Sequence, residues 1–148
     1  MVQLSKGTWV VVADAEKALL MENVTDHDDP NFRIISRTDS PTQDAYSDRQ
    51  GRHADTGAHQ KSALAENDWH ALARDKFAKS LADLLYGYAH KGKFFRLVIA
   101  AAPDLLGALR GELHSEVSGK VIAEIPKTLT NHPPRKLEAL IKSELDAR

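Results

Sequence analysis

Between Asp48 and His59 the sequence reads Asp-Arg-Gln-Gly-Arg-His-Ala-Asp-Thr-Gly-Ala-His, its densest run of side chains able to recognise or react. Arg49 and Arg52 can grip a phosphate with a planar, permanently charged fork. His53 and His59 can change charge near neutral pH. Gly51 and Gly57 leave the backbone free to approach a partner, and Gln60 adds an amide directly after the run. His53, His59 and His70 would form a metal site only if folding happened to gather them, because their spacing matches no structural zinc pattern. The plainer reading is a polar loop that orders on a partner.

A second constellation is acidic. Asp14 closes an apolar run and Asp104 follows another, so two parallel strands side by side would bring both carboxylates to one end of a sheet. Carboxylates so placed can hold Mg²⁺ for phosphodiester cleavage, and Asp75 or Asp83 could add a third ligand. Both acids also have ordinary structural uses. Asp14 is a natural turn residue, and Asp104 sits where a first-turn acid complements the helix dipole.

Basic side chains gather between Arg74 and Arg96, where Arg74, Lys76, Lys79, Lys91, Lys93 and Arg96 stand against Asp75 and Asp83. Such a run can face phosphates or simply keep a helix solvated. Residues 1–67 carry 7 basic and 11 acidic side chains, whereas residues 68–148 carry 13 and 10. The whole chain of 148 residues has a net charge of -1, so no bulk field draws it to nucleic acid or membrane. The absence of cysteine excludes disulfides, thiolate metal sites and a cysteine nucleophile. No phosphate-binding Gly-Lys loop, dinucleotide fingerprint, nucleophile elbow or His-Glu-x-x-His pattern occurs, and nothing calls for a cofactor. His27, His90, His114 and His132 stand alone and read as surface residues.

These groups must be positioned by regular elements. Trp9–Asp14 and Lys17–Glu22 read as strands joined by Ala15-Glu16, with a third strand at Phe32–Arg37 after an acidic turn. Thr38–Glu66 holds one aromatic, Tyr46, and one leucine, Leu64, with no Val, Ile, Met or Phe, which predicts a long mobile loop. A helix is predicted from an N-cap at Asn67-Asp68 to Ala89, ended by Gly92. Phe94–Ala101 reads as an interior strand, which makes Phe94 and Phe95 core residues rather than a stacking surface. Pro103-Asp104 opens a short helix, Val121–Ile125 is a fifth strand, and Pro133-Pro134 opens a last helix facing inward through Leu137, Leu140, Ile141 and Leu145. The order β-β-β, loop, α-β-α-β-α predicts an α/β fold: an antiparallel meander continued by parallel strands in one mixed five-stranded sheet of the ribonuclease H-like kind. The length suits a single domain. Charges break the Trp9–Leu20 stretch well short of a membrane span, and no leader pattern precedes it, so a cytoplasmic protein is expected.

Several blocks together resemble the bacterial host-attachment protein family. They are Trp9–Asp14, the Gly51–His59 loop, Phe77-Ala-x-x-Leu-Ala-x-x-Leu-Leu85, Arg96-Leu-Val-Ile-Ala-Ala-Ala-Pro103, Leu105-Leu-Gly-x-Leu-Arg110 and Lys127-x-Leu-Thr130, within about residues 5–145. That family is related to the middle domain of archaeo-eukaryotic peptide-chain release factors. The resemblance implies the release-factor middle-domain topology, with a long loop that in those factors carries Gly-Gly-Gln for peptidyl-tRNA hydrolysis. The loop here contains Gln50-Gly51-Arg52 and Gly57-Ala-His-Gln60 but no Gly-Gly-Gln, which implies binding rather than hydrolysis.

The expectation is therefore a release-factor-like RNA- or ribosome-associated module, acting indirectly in host attachment, with the ribosome or tRNA as partner and no membrane contact. Its contacts would come from Arg49, Gly51, Arg52, His53, Gly57, His59 and Gln60 in the loop, and from Arg74, Lys76, Lys79 and Lys93 in the basic run. The alternatives are a divalent-metal nuclease using Asp14 and Asp104, and an adaptor that binds only another protein.

Overall fold

Trp9–Ala13 forms β1, five apolar residues buried without exception. The computed structural model describes residues 2–40 and 59–148, with side chains in the first helix described from Asp68 onward. Lys17–Asn23 forms β2, Phe32–Asp39 β3, Leu97–Ala100 β4 and Val121–Ile125 β5. They make one mixed sheet in the order β3-β2-β1-β4-β5. β1 pairs antiparallel with β2 and parallel with β4, β2–β3 is antiparallel, and β4–β5 is parallel. This is the meander continued by parallel strands that the element order predicts. A register shift opposite Leu20/Met21 passes over Ile35, leaving it as an extra residue in β3.

Because successive strand residues point to opposite faces, β1 and β4 supply two separate cores. On one face Trp9, Val11, Ala13, Leu97 and Ile99 meet helix α1 (His59–His90), helix α2 (Pro103–Glu112) and the one-turn helix α3 (Ser115–Ser118). On the other, Val10, Val12, Val98 and Ala100 meet helix α4 (Pro134–Asp146) through Leu137, Ile141 and Leu145. The inward residues of α4 are those predicted, with Leu140 at the margin of this core. β5 is an edge strand, and the Arg148 guanidinium donates to the Glu124 carbonyl there. Arg110 grips the Glu124 carboxylate at 2.5 and 2.9 Å, and these hydrogen bonds hold its guanidinium pKa above the ordinary value. Charged cover of this kind discourages a further strand from adding to the edge.

Four features differ from the sequence reading. First, α1 begins at His59, so the loop predicted over Thr38–Glu66 is shortened at both ends: Thr38 and Asp39 complete β3, and residues 59–66 are helical. Past Gly57 there is no Gly or Pro until Gly87, and Lys61, Ala63, Leu64, Ala65 and Glu66 are strong helix formers, so no N-cap is needed at Asn67-Asp68. Second, β4 starts at Leu97, and the three residues before it belong to a turn that sends Phe94 inward and Phe95 outward. Third, α3 interrupts the predicted connection to β5, since four residues carry no periodic signal. Its N-cap is His114, whose Nδ1 accepts from the Glu116 N–H at 3.0 Å.

Fourth, His27 is buried rather than on the surface. Its Nδ1 accepts from the Leu4 N–H at 2.9 Å while Nε2 lies 2.7 Å from Asp146 Oδ1, which joins the first residues of the chain to the end of α4. Buried Asn23 organises the same corner, donating to the carbonyls of Leu4 and Asp26 and accepting from the Asn31 N–H. No periodicity marks His27, whose partners are 23 and 119 positions away, or Asn23, which reaches 19 positions back to Leu4.

Removing a core contact on the α4 side should cost far more than removing an exposed one. Ile141→Ala should lower unfolding free energy by about 2–5 kcal/mol, and Leu72→Ala on the solvent side of α1 by under about 0.5 kcal/mol, in urea titrations. The Asp146 carboxyl is held below its ordinary 3.8, first by the hydrogen bond from Lys142 and then by that from His27. A carboxylate with a lowered folded-state pKa adds stability above its unfolded value and loses it as pH falls through the folded one. Asp146→Asn should therefore be less stable than wild type at neutral pH, with the gap closing below pH 3.8. A gap that stays constant down to pH 3 would contradict this.

Candidate functional site

The register of β1 against β4 brings Asp14, the α2 N-terminus with Asp104, and the loop after β5 to the carboxyl end of the parallel strands. This is where ligands bind in open α/β sheets. The chain also leaves β3 at this end, since Asp39 pairs with Lys17 beside the β1–β2 turn. The predicted juxtaposition of the two aspartates at one sheet end is therefore present.

Their carboxylates are engaged in structure. Asp14 Oδ1 accepts from the backbone N–H groups of Glu16 and Lys17 at 2.7 and 2.9 Å, an Asx turn that reverses the chain into β2. Its Oδ2 accepts from the Thr130 hydroxyl at 2.5 Å, tying the hairpin to the loop before α4. Asp104 Oδ1 accepts from the Leu105 N–H at 2.8 Å, and Oδ2 lies 3.8 Å from an Arg74 guanidinium nitrogen. Arg74 also holds Asp75 at 3.1 and 3.2 Å. Asp83 is two turns further along α1 from Asp75, away from this end. Among the described residues, no group of three or more His, Asp or Glu is placed to hold a metal ion.

The basic run is divided by the geometry. Arg74 belongs to the Asp104 end, where it spans two carboxylates. Lys76 and Lys79 lie three residues apart on the solvent face of α1. Lys79 is one turn from both Asp75 and Asp83, yet neither lysine has a carboxylate within 4.0 Å among the described residues. From Arg74 to His90 the helix rises by about 24 Å, so Lys91, Lys93 and Arg96 stand at the opposite end of the sheet. The sequence reading could not see this division, because helix length converts proximity in sequence into distance in space. Arg49, Gly51, Arg52, His53 and Gly57 lie outside the described residues. His59 and Gln60 begin α1, and their side chains also lie outside the description. His70 is exposed on α1.

The double role of Asp14 separates a structural from a catalytic carboxylate. Asp14→Ala should remove both the Asx turn and the tie to Thr130 and lower stability by about 1–3 kcal/mol, about 2–4 °C in Tm for each kcal/mol. Asp14→Asn keeps the turn acceptor and should stay close to wild type in thermal unfolding. Equal losses in both variants would mean that the negative charge, not the turn, is what the fold needs.

Among the described residues, no helix is long and apolar enough to cross a membrane. No curated protein matches the chain. The family model for bacterial archaeo-eukaryotic release factor family 12 matches residues 7–141, from the turn before β1 to the middle of α4, and the chain belongs to that family.

Proposed function

We propose that the protein is a release-factor-like binding module that associates with RNA, either on the ribosome or as tRNA, and works in the cytoplasm as a single domain. The observation that carries this reading is Lys76 and Lys79 on the open face of α1, without a carboxylate within reach among the described residues, in a chain of release-factor ancestry. Cations left uncompensated on a rigid helix keep their full field for phosphates, and each phosphate contact releases a counterion. The strand order β3-β2-β1-β4-β5 supports a ribonuclease H-like, release-factor middle-domain scaffold. Residues 41–58, between the carboxyl end of β3 and the start of α1, would supply further contacts through Arg49 and Arg52. Hydrolysis is not part of the proposal, because no Gly-Gly-Gln is present in the sequence. Any part in attachment to host cells is, on this reading, indirect.

Co-sedimentation with bacterial ribosomes and filter binding to tRNA, each at low and physiological salt, test the proposal. The double variant Lys76→Glu/Lys79→Glu should bind more weakly, and the slope of log affinity against log salt should fall by about 1 for each lysine. Unchanged affinity and slope would remove these lysines from the interface. Partners that persist after nuclease treatment would favour a protein adaptor instead.

A further inference from the structure

Phe95 is the most exposed of the large apolar side chains among the described residues, at 70%, beside Phe94 at 1%. The turn that displays it is rigidly built. Gly92 at φ 71° closes α1 in a Schellman cap, with its N–H donating to the Ala89 carbonyl and the Lys93 N–H to the Tyr88 carbonyl, both at 3.0 Å. Phe94 is anchored below, its ring centroid 5.0 Å from that of Trp9, which lies 5.1 Å from Tyr88. Backbone hydrogen bonds fix the exit: the Arg96 carbonyl accepts from the Trp9 N–H at 2.9 Å, and the Leu97 N–H donates to the Lys120 carbonyl at 2.8 Å. The Phe95 ring thus stands over Gly92, where an added Cβ would come 4.0 Å from its Cζ.

The charged side chains of this turn are all of one sign. Lys120 Nζ lies 5.8 Å from the ring centroid. Lys91, Lys93 and Arg96 are exposed in the same turn and form no ion pair among the described residues. The sequence has no acidic residue between Asp83 and Asp104. Of the acids nearest this end, Glu22 is paired with Arg33 at 2.7 Å and Glu116 faces His90 at 3.5 Å. A protein-binding surface would need a contiguous apolar centre, whereas Phe95 has a glycine beneath it, Lys120 over it and three more cations in its own turn. One flat ring in a turn of cations outside the ion pairs among the described residues matches a nucleobase with phosphates on either side.

We propose that the Lys91–Arg96 turn, with Lys120, is a stacking platform for an unpaired base of single-stranded RNA. Phe95 carries the base, Lys91, Lys93 and Arg96 meet the flanking phosphates, and Lys120, which lies over the ring in the free protein, swings aside to a phosphate as the base stacks. The site lies at the opposite end of the sheet from Asp14, Asp104 and Arg74, and it rests on the RNA-binding reading above. Because the turn is already held by Gly92, Phe94 and the β4 backbone, stacking on it orders little of the protein.

Fluorescence anisotropy with a labelled 12-nucleotide oligo(U), alongside a 12-base-pair RNA duplex, tests the platform. Phe95→Ala should weaken oligo(U) binding about tenfold, leave the salt slope unchanged because no cation is lost, and leave duplex binding as in wild type. Phe95→Trp should restore the affinity. Thermal unfolding of Phe95→Ala should match wild type, since the ring is exposed. Wild-type affinity of Phe95→Ala for oligo(U) would overturn the platform while leaving the RNA-binding reading in place. Absence of wild-type binding to oligo(U), tRNA and ribosomes alike would overturn both.

Discussion

Every residue of β1 is buried, and the architecture follows from that. A strand with no solvent face cannot lie at the rim or rest on a single layer, so it needs a partner along each edge and cover above and below. β2 and β4 occupy the two edges, α1 and α2 cover one face, and α4 covers the other. Val10 and Val12 meet α4, while Trp9 and Val11 meet α1. The chain passes from one face to the other through β5, which leaves α2 and α4 on opposite sides of the sheet.

That arrangement decides which ends are free for chemistry. At the carboxyl end of the parallel strands the acids are consumed by structure: Asp14 turns the hairpin and holds Thr130, and Asp104 lies between the start of α2 and Arg74. The cations are treated differently. Lys76, Lys79, Lys91, Lys93 and Arg96 stay exposed on α1 and on the turn that follows it, outside the ion pairs among the described residues. A balanced net charge thus hides a local imbalance, and the overall value of -1 is no guide to the surface that meets a partner.

The elements that bury a face were legible in the sequence. Short apolar runs such as Trp9–Ala13 and Val121–Ile125 marked the five strands, and the helical spacing of Leu137, Ile141 and Leu145 marked the inward side of α4. What periodicity could not reveal were features set by single contacts. His27 is internal because Leu4 and Asp146 come to it from opposite ends of the chain. Phe95 read as core because it adjoins an apolar strand, but Gly92 ends α1 with a cap that turns the next residues and sends the second phenylalanine outward. The helix begins earlier than predicted because a polar stretch with no apolar face can still be helical: Lys61, Ala63, Ala65 and Glu66 suit a helix regardless of burial. The family was readable from blocks spread along the chain rather than from a catalytic signature, and the match over residues 7–141 agrees with that.

The central claim is that this protein meets RNA through the cations of α1 and its following turn. Ultraviolet cross-linking of the purified full-length protein to total bacterial RNA, with mass-spectrometric mapping of the adducts, tests it most directly. Adducts are expected on peptides spanning residues 74–96, fewer at raised salt, with ribosomal RNA or tRNA as the attached species. Adducts confined to other surfaces, or none at low salt, would contradict it.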